Sequence, residues 1–284
     1  MHARVTIDGH ELAIDLSHPV DLAIELDFTG AQPRHFGAPR ASSRPYESPG
    51  FDFKGSVERG ASCNCSIIVL IPHCNGTHTE CAGHLTRERL DAWRTAPAGL
   101  VPALLLSVEP ETVASQKAGD YAGAGESTEP PPQPGDRLIT ARALERSWPG
   151  STPFTPRALI LRTLPNDPDK RTRDYTSGNP PYLSQQAAEL LVARGIAHLI
   201  VDAPSIDRGH DEGRLTAHRI FFGLPPKMVQ LGAATRRDAT ITELAFVPDE
   251  VTDGAYLLEL QVPALCGDAV PSRPLLYRLA GHAQ

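Results

Sequence analysis

The order of strand-like and helix-like segments in the second half of the chain constrains its fold more than any other feature. Residues 157–162 and 197–201 are short apolar runs typical of buried strands, and an amphipathic stretch at residues 183–194 lies between them. Ser184 is placed to cap this helix at its start, and Gly195 is placed to end it. Because two strands joined through a helix pair in parallel, this order predicts a sheet with parallel pairing.

Further segments extend this prediction toward both ends of the chain. Asp8-Gly9 is a hairpin signal between two short β-like runs. We expect a buried strand at residues 66–71 and a shorter helix at residues 212–222. The remaining strand-like runs are residues 21–28, 103–108, 240–247, 255–262 and 274–279. Together they predict an α/β fold, with a mixed β-sheet core and covering helices, in a single domain over residues 1–284.

Two segments show no periodicity of either kind. Residues 30–62 are rich in Gly, Pro, Ser and Arg, which predicts a long loop or a lid. Residues 119–136 are rich in Gly and Pro, which predicts an exposed, flexible insertion. We do not interpret residues 119–136 as a domain boundary, because strand and helix signals of the same kind continue on both sides.

Composition narrows the class of partner. The net charge of −7 argues against a nucleic-acid surface and against binding to anionic membranes. No apolar run approaches the ~20 residues of a membrane helix. The N-terminal stretch lacks a basic region followed by an apolar one, so we expect no secretory signal, a cytoplasmic location and reduced thiols at the five cysteines. A small-molecule substrate is the partner that this composition favours.

The chemically dense stretch runs from His73 to His84, directly after the expected strand at residues 66–71. It carries three imidazoles, two thiols and one carboxylate. In an extended segment Cys74, His78 and Glu80 point the same way and can share one metal ion. His73 would then face away, but a turn at Gly76-Thr77 can break this parity, so His73 is the alternative to Cys74.

This stretch resembles the signature of the cyclase family of metal-dependent hydrolases, which includes bacterial kynurenine formamidase and isatin hydrolase. The signature reads His-x-Gly-Thr-His-x-Asp-x-Pro-x-His, and this chain reads Cys74-Asn-Gly-Thr-His-Thr-Glu-Cys-Ala-Gly-His84. The central Gly-Thr-His and the final histidine match. Cys74 stands at the first histidine, Glu80 at the aspartate and Ala82 at the proline.

Other landmarks follow in the family's order and extend the resemblance from about residue 11 to residue 280. They are Asp15-Leu-Ser-His-Pro19, the Tyr182-to-Gly195 segment with the Asp202-to-Asp207 segment after it, Ala217-His218, and Glu243. The resemblance implies a fold of the swivelling β/α/β type. It also implies a homodimer or a higher homo-oligomer.

The resemblance implies a divalent metal site, with His84 as the acid/base. The ligands it implies are Cys74, His78, Glu80, His218 and Glu243. A thiolate ligand favours Zn²⁺, with Mn²⁺ as the alternative. Trp93, Ser205 and Asp207 are the candidate substrate-binding residues, with Trp93 stacking on a planar substrate and the other two orienting a ligand.

The function implied is hydrolysis of a C–N bond in a small amide, a formamide (as in an arylformamidase) or a cyclic amide. Water activated by the ion attacks the carbonyl, and His84 transfers a proton to the leaving nitrogen. Two alternatives stay open. A metal-binding protein of the same fold without catalysis is favoured by the departures at Cys74 and Glu80, and a metal-dependent lyase or dehydratase would use the same site.

Overall fold

The parallel pairing expected from the strand–helix–strand order lies at the centre of the structure. The structure is a computed structural model and describes residues 1–114 and 126–280. Its strands are β1 His2–Ile7, β2 His10–Asp15, β3 Val20–Asp21, β4 Ser42–Pro45, β5 Ser66–Val69, β6 His78–Cys81, β7 Leu100–Val108, β8 Glu111–Thr112, β9 Arg137–Ile139, β10 Ala158–Thr163, β11 Tyr182–Leu183, β12 His198–Val201, β13 Thr240–Glu243, β14 Gly254–Gln261, β15 Ala269–Pro271 and β16 Arg273–Ala280. Its α-helices are α1 Ala92–Thr95, α2 Ala141–Ser147, α3 Gln185–Ala193 and α4 Thr216–Phe222.

One large sheet organises the molecule. It has eleven strands in the order β1-β2-β16-β14-β7-β10-β12-β13-β6-β15, with β3 paired to β16. β7, β10, β12 and β13 are parallel neighbours, and the flanking pairs are antiparallel. The prediction of a mixed sheet with covering helices is therefore confirmed.

Both faces of the central strands are buried, which explains their nearly continuous apolar sequences. Leu104 and Leu106 of β7 pack in the cluster that contains residues of α2, α3 and α4. Ala103 and Leu105 point to the opposite face, where loop residues such as Val251 cover the sheet. This alternation follows from the two-residue period of a strand.

Local signals set the boundaries of the predicted elements. The hydroxyl of Ser184 accepts a hydrogen bond from the Ala187 amide at 3.0 Å and caps α3, and Gly195 follows the helix at a positive φ of 75°. The Asp8-Gly9 turn joins β1 and β2 as an antiparallel pair. None of the helices in the described ranges has the length and apolarity needed to cross a bilayer.

Three expectations need correction. The run at residues 66–71 is not buried: β5 pairs only with β4 in a separate two-stranded sheet, and Ile68 and Val69 are 56% and 57% exposed. The strand expected at residues 21–28 is reduced to the two-residue β3, because the chain then leaves the sheet. The second helix begins at Thr216 rather than near residue 212, after Leu215 takes a left-handed conformation with φ 48°.

The two aperiodic segments differ in how they meet the rest of the molecule. In the segment 30–62, the His35 amide donates to the Cys74 carbonyl at 3.2 Å, so this part packs against the dense stretch. Of the predicted insertion 119–136, residues 119–125 lie outside the described residues. Farther along, the Ser127 carbonyl accepts a hydrogen bond from the Gln185 amide at the start of α3.

Candidate metal centre

β6 carries the core of the dense stretch into the large sheet. It pairs antiparallel with β13 on one side and with β15 on the other, and all four of its residues are buried. The register places His78 opposite Glu243 and Glu80 opposite Ala269. Gly76 makes the turn before the strand, at a φ of 73° that favours glycine.

Three overlapping groups of imidazoles and carboxylates lie around Glu80, and each could hold a metal ion. In each group the ligand atoms lie within 4.8 Å of one another. We call them the inner group (Glu80, His218, Glu243), the bridging group (His73, His78, Glu80) and the outer group (His73, His84, Asp268). Glu80 is shared by the inner and bridging groups, and His73 is shared by the bridging and outer groups.

The inner group is almost completely closed to solvent. Glu80, His218 and Glu243 are 1%, 2% and 3% exposed. Nε2 of His218 lies 2.8 Å from Oε1 of Glu80 and 3.5 Å from Oε1 of Glu243. Behind it, Nδ1 of His218 contacts Oδ2 of Asp207 at 2.7 Å, and this carboxylate also accepts the amides of Ala217 and His218 at the start of α4.

The bridging group places His73 on the other oxygen of Glu80. Nδ1 of His73 lies 3.0 Å from Oε2 of Glu80. His78 completes this group from β6, with its Nε2 3.4 Å from Oε2 of Glu243. Through His73 and His78, the bridging group therefore contacts both buried carboxylates, those of Glu80 and Glu243.

The outer group reaches solvent. The side chains of His73, His84 and Asp268 are 27%, 26% and 43% exposed. Oδ2 of Asp268 lies 2.9 Å from Nε2 of His73 and 3.3 Å from Nδ1 of His84. Nε2 of His84 points inward and lies 3.9 Å from Oε2 of Glu80.

Several buried polar atoms in these groups have no hydrogen-bond partner, and they fit a cation. Nε2 of His78 and both side-chain oxygens of Glu80 make no hydrogen bond, although imidazole nitrogens lie in ion-pair contact with Glu80. Buried polar atoms are normally paired. These imidazole and carboxylate atoms lie close together but are not aligned for hydrogen bonding. Nitrogen and oxygen atoms of these two kinds are the ligands that Zn²⁺ and Mn²⁺ accept.

The pKa shifts in these groups indicate carboxylates and imidazoles that stabilise each other's charged forms. Burial raises the pKa of Glu80, but the charges of His218 and His84 outweigh it and hold this pKa well below its usual value. Burial lowers the pKa of His218, but the charge of Glu80 and the contact with Asp207 raise it well above its usual value. In the same way, contacts with Asp268 and Glu80 overcome burial and raise the pKa of His73 to about 10.

Cys74 and His73 exchange the places expected from an extended segment. Residues Pro72–Cys74 form a 3-10 turn, so alternation of side chains does not apply there. His73 joins two of the groups, whereas Cys74 joins none among the described residues. Burial, followed by the charge of Glu243, raises the pKa of the Cys74 thiol.

The remaining candidates have different surroundings. Asp207 positions His218, as described above, and its own amide donates to the hydroxyl of Ser205 at 3.2 Å. Trp93 lies on α1, where the Arg94 guanidinium sits 4.2 Å from the centre of its ring. Trp93 stays outside the three groups formed by the described residues.

Sequence reasoning missed two residues near the groups. Asp268 precedes β15, a three-residue strand that no pattern predicted, and only the pairing of β15 with β6 brings Asp268 to the groups. His35 had no supporting context in the sequence. It is 4% exposed, neither of its ring nitrogens has a hydrogen-bond partner, and it lines a cavity of about 170 Å³ with Phe36 and Tyr175.

Solved structures with the same fold include a predicted metal-dependent hydrolase and isatin hydrolases. A protein described as a predicted metal-dependent hydrolase from Bacillus stearothermophilus aligns with a TM-score of 0.55 at 16% identity, over 92% of this chain and 98% of that one. An isatin hydrolase bound to the product analogue thioisatinate aligns with a TM-score of 0.55 at 16% identity, over 92% of each chain. Isatin hydrolase A from Ralstonia solanacearum aligns with a TM-score of 0.55 at 15% identity, over 92% of this chain and 91% of that one. At these identities the likeness shows the fold alone.

A comparison with family models gives the affiliation. None of the curated proteins compared with the chain matches it. The model of the Cyclase family, described as "Putative cyclase", matches residues 14–208. His218 and Glu243 lie beyond the matched residues, and the fold brings them to the motif. Because the match covers more than half of the chain, and the resemblance of the dense stretch agrees with it, the chain belongs to the Cyclase family.

Proposed function

We propose that the protein is a metal-dependent hydrolase that cleaves the C–N bond of a small amide, formamide or cyclic amide. The observation that carries this proposal is the set of buried, unpartnered atoms on His78 and Glu80, with the partly exposed His84 beside them. Buried acids without a cation or a hydrogen-bond donor are costly. The arrangement is therefore suited to a bound cation next to a group that can exchange protons.

We assign the metal to the inner and bridging groups, with His73 rather than Cys74 as the ligand that precedes the turn. A divalent ion held there would supply Lewis acidity and lower the pKa of a bound water. The donors are then imidazole and carboxylate, which suit Zn²⁺ and Mn²⁺ alike. The preference for Zn²⁺ expected from a thiolate does not apply to this donor set.

His84 is suited to the acid/base step. Its Nδ1 contacts Asp268, so its Nε2 is left facing Glu80. This nitrogen accepts the proton that the attacking water loses and returns it to the leaving nitrogen as the C–N bond breaks. The oxygen of water ends in the carboxylate product, and the amine or ring nitrogen carries the proton.

The substrate that we propose is planar and mostly apolar, with a carbonyl next to nitrogen. The cavity lined by His35, Phe36 and Tyr175 offers two aromatic rings and one unpartnered imidazole. The His35 amide donates to the Cys74 carbonyl at 3.2 Å, so this cavity adjoins the dense stretch that carries the groups. An isatin hydrolase is among the proteins with this fold, and isatin is a cyclic amide of this shape.

A protein of the same fold that binds metal without catalysis is the second candidate. The departures from the family signature at Cys74 and Glu80 favour it. A lyase or dehydratase would use the same residues, but it would not break a C–N bond with water. The homo-oligomer and the cytoplasmic location remain predictions.

Turnover of defined substrates tests the proposal. The purified protein, loaded with Zn²⁺ or Mn²⁺, would be incubated with N-formylkynurenine, isatin and a simple cyclic imide, and the products followed by mass spectrometry. We expect at least one substrate to gain a water with cleavage of its C–N bond, and His84→Gln with equal metal content to be nearly inactive. Bound metal without turnover would favour the second candidate, and a product that keeps its C–N bond would favour a lyase.

A further inference from the structure

We propose that Asp268 is a positioning residue that holds two neighbouring imidazoles, His73 and His84, in opposite tautomers. This inference rests on the proposed function, because it assigns tasks to a metal ligand and to an acid/base. It concerns a residue outside the family signature, directly before a strand that no sequence pattern predicted.

One oxygen of Asp268 contacts both rings. Oδ2 lies 2.9 Å from Nε2 of His73 and 3.3 Å from Nδ1 of His84, and the two rings lie 4.2 Å apart at 32°. A carboxylate oxygen accepts hydrogen bonds, so each of these nitrogens donates to it. When a cation is bound beside Glu80, His73 therefore keeps its proton on Nε2, and His84 keeps its proton on Nδ1.

The nitrogens left free both face Glu80. Nδ1 of His73 lies 3.0 Å from Oε2 of Glu80, and Nε2 of His84 lies 3.9 Å from the same oxygen. Asp268 thus leaves the lone pair on Nδ1 of His73 free for the proposed metal and the lone pair on Nε2 of His84 free for the acid/base step. A carboxylate behind a metal-binding histidine fixes its tautomer and ring orientation in this way.

The backbone around Asp268 makes its position rigid. Its carbonyl accepts the Cys81 amide at 3.0 Å, and the carbonyl of Gly267 accepts the Ala92 amide at 2.8 Å. On the other side, a Cβ added to Gly83 would lie 3.3 Å from Cβ of Asp268 and 2.5 Å from the Leu90 carbonyl oxygen. A glycine before His84 therefore permits the close approach of the two segments.

The buried side of the site repeats the arrangement. Asp207 contacts Nδ1 of His218 at 2.7 Å, and Nε2 of His218 lies 2.8 Å from the other oxygen of Glu80. Three imidazoles are thus directed at Glu80, each with an aspartate on its far nitrogen. Asp207 is 7% exposed, whereas the Asp268 side chain is 43% exposed, so Asp268 can be replaced with less risk to folding.

The test compares Asp268→Asn with the conservative Asp268→Glu. Asp21→Asn is the matched control, since its side chain is 41% exposed and its partners, the Arg273 guanidinium and the Ala23 amide, belong to none of the three groups. The histidine tautomers of the Zn²⁺-loaded proteins would be read from long-range ¹H–¹⁵N spectra, with His84→Gln to assign the His84 signals. The dissociation constant for Zn²⁺ would be measured by competition with a chromophoric chelator, and circular dichroism would report folding.

In the wild type we expect His84 in the Nδ1–H form and His73 in the Nε2–H form. Asp268→Asn should mix the tautomers and weaken Zn²⁺ binding by about 10- to 100-fold, the usual cost of losing such a partner. Asp268→Glu should restore most of both properties, and Asp21→Asn should leave them unchanged. A folded Asp268→Asn protein with wild-type tautomers and Zn²⁺ affinity within twofold of the wild type would overturn the assignment. No substrate enters this test, so absence of turnover would reject the proposed function and leave the role of Asp268 standing.

Discussion

The inner and outer groups both combine imidazole and carboxylate side chains but differ in their access to water. The three residues of the inner group are at most 3% exposed, whereas the side chains of the outer group are 26% to 43% exposed. Charges in a closed site interact strongly and cannot be screened by solvent, so the inner group is suited to holding an ion. Groups that reach solvent can exchange protons and meet a substrate. Burial therefore divides the tasks between chemically similar side chains.

A third region gives the reference for this comparison. His198 in β12 is 8% exposed, like the inner group, but its hydrogen-bond partner is the hydroxyl of Thr240 rather than a carboxylate. Burial lowers its pKa to about 4, whereas the pKa of His218 is raised. The carboxylates, not burial, therefore make His218, the histidine of the inner group, basic.

The largest effect is expected from Glu80→Gln, because Glu80 belongs to both the inner and the bridging groups. Loss of its charge should weaken metal binding by more than the ~100-fold that a surrounding partner costs, and turnover should fall to background. Elemental analysis after dialysis measures the retained metal. Glu145→Gln, on the exposed face of α2, is the control. Full retention of metal by Glu80→Gln would show that the inner and bridging groups do not hold the ion.

His84→Gln should separate the two tasks. Because His84 belongs to the outer group, its loss should lower kcat by about 10²- to 10⁴-fold, the range for a general acid/base. Metal content should stay close to that of the wild type, since the inner group is intact. Steady-state kinetics and elemental analysis on the same sample check both numbers. Metal loss equal to the activity loss would show that His84 is a ligand.

The variants His73→Ala and Cys74→Ala test which of these two residues binds the metal. We expect His73→Ala to weaken metal binding by about 10- to 100-fold, and Cys74→Ala to change it little, because the thiol stays outside the groups. Isothermal titration with Zn²⁺ measures both variants. The reverse result would restore Cys74 as the ligand and the preference for Zn²⁺ that a thiolate brings.

The smallest effect is a pH dependence of stability at His198. The unfolded chain protonates this histidine near its ordinary pKa of about 6.5, and the folded protein does so only near 4. The stabilisation that neutral His198 contributes to the folded protein is thus complete above pH 6.5, and it is lost as the pH falls toward 4. Between pH 7 and pH 5.5 the wild type should lose about 1 kcal/mol more free energy of unfolding than His198→Asn. Urea unfolding at both pH values measures the difference, and equal losses would refute the assignment.

Local signals predicted the elements whose form depends on neighbouring residues. The cap and stop of α3, the turn between β1 and β2, and the apolar runs of β7, β10 and β12 follow from residues close in sequence. The apolar run at residues 66–71 shows the limit of such signals. Its sequence fits a buried strand, but burial requires a covering layer, and β5 has only β4 beside it.

The candidate site divides in the same way. The dense stretch could be recognised from spacing alone, and its affiliation followed from the signature that it resembles. The position of His73 within the groups, and of Cys74 outside them, depends on a 3-10 turn at Pro72–Cys74 that breaks the expected parity. Asp268 could not be found from spacing, because it is separated from His84 by most of the chain and is brought close by strand pairing.

The amino-acid sequence by itself determined the alternation of strands and helices, the set of potential ligands and the family to which the chain belongs. These properties depend on short-range periodicity and on residue types at fixed spacing. Only the tertiary structure decided which histidine faces Glu80, which aspartates support the imidazoles and which groups reach solvent. Those properties depend on the pairing of β6 with β13 and β15, and sequence spacing does not encode contacts between segments that are far apart along the chain.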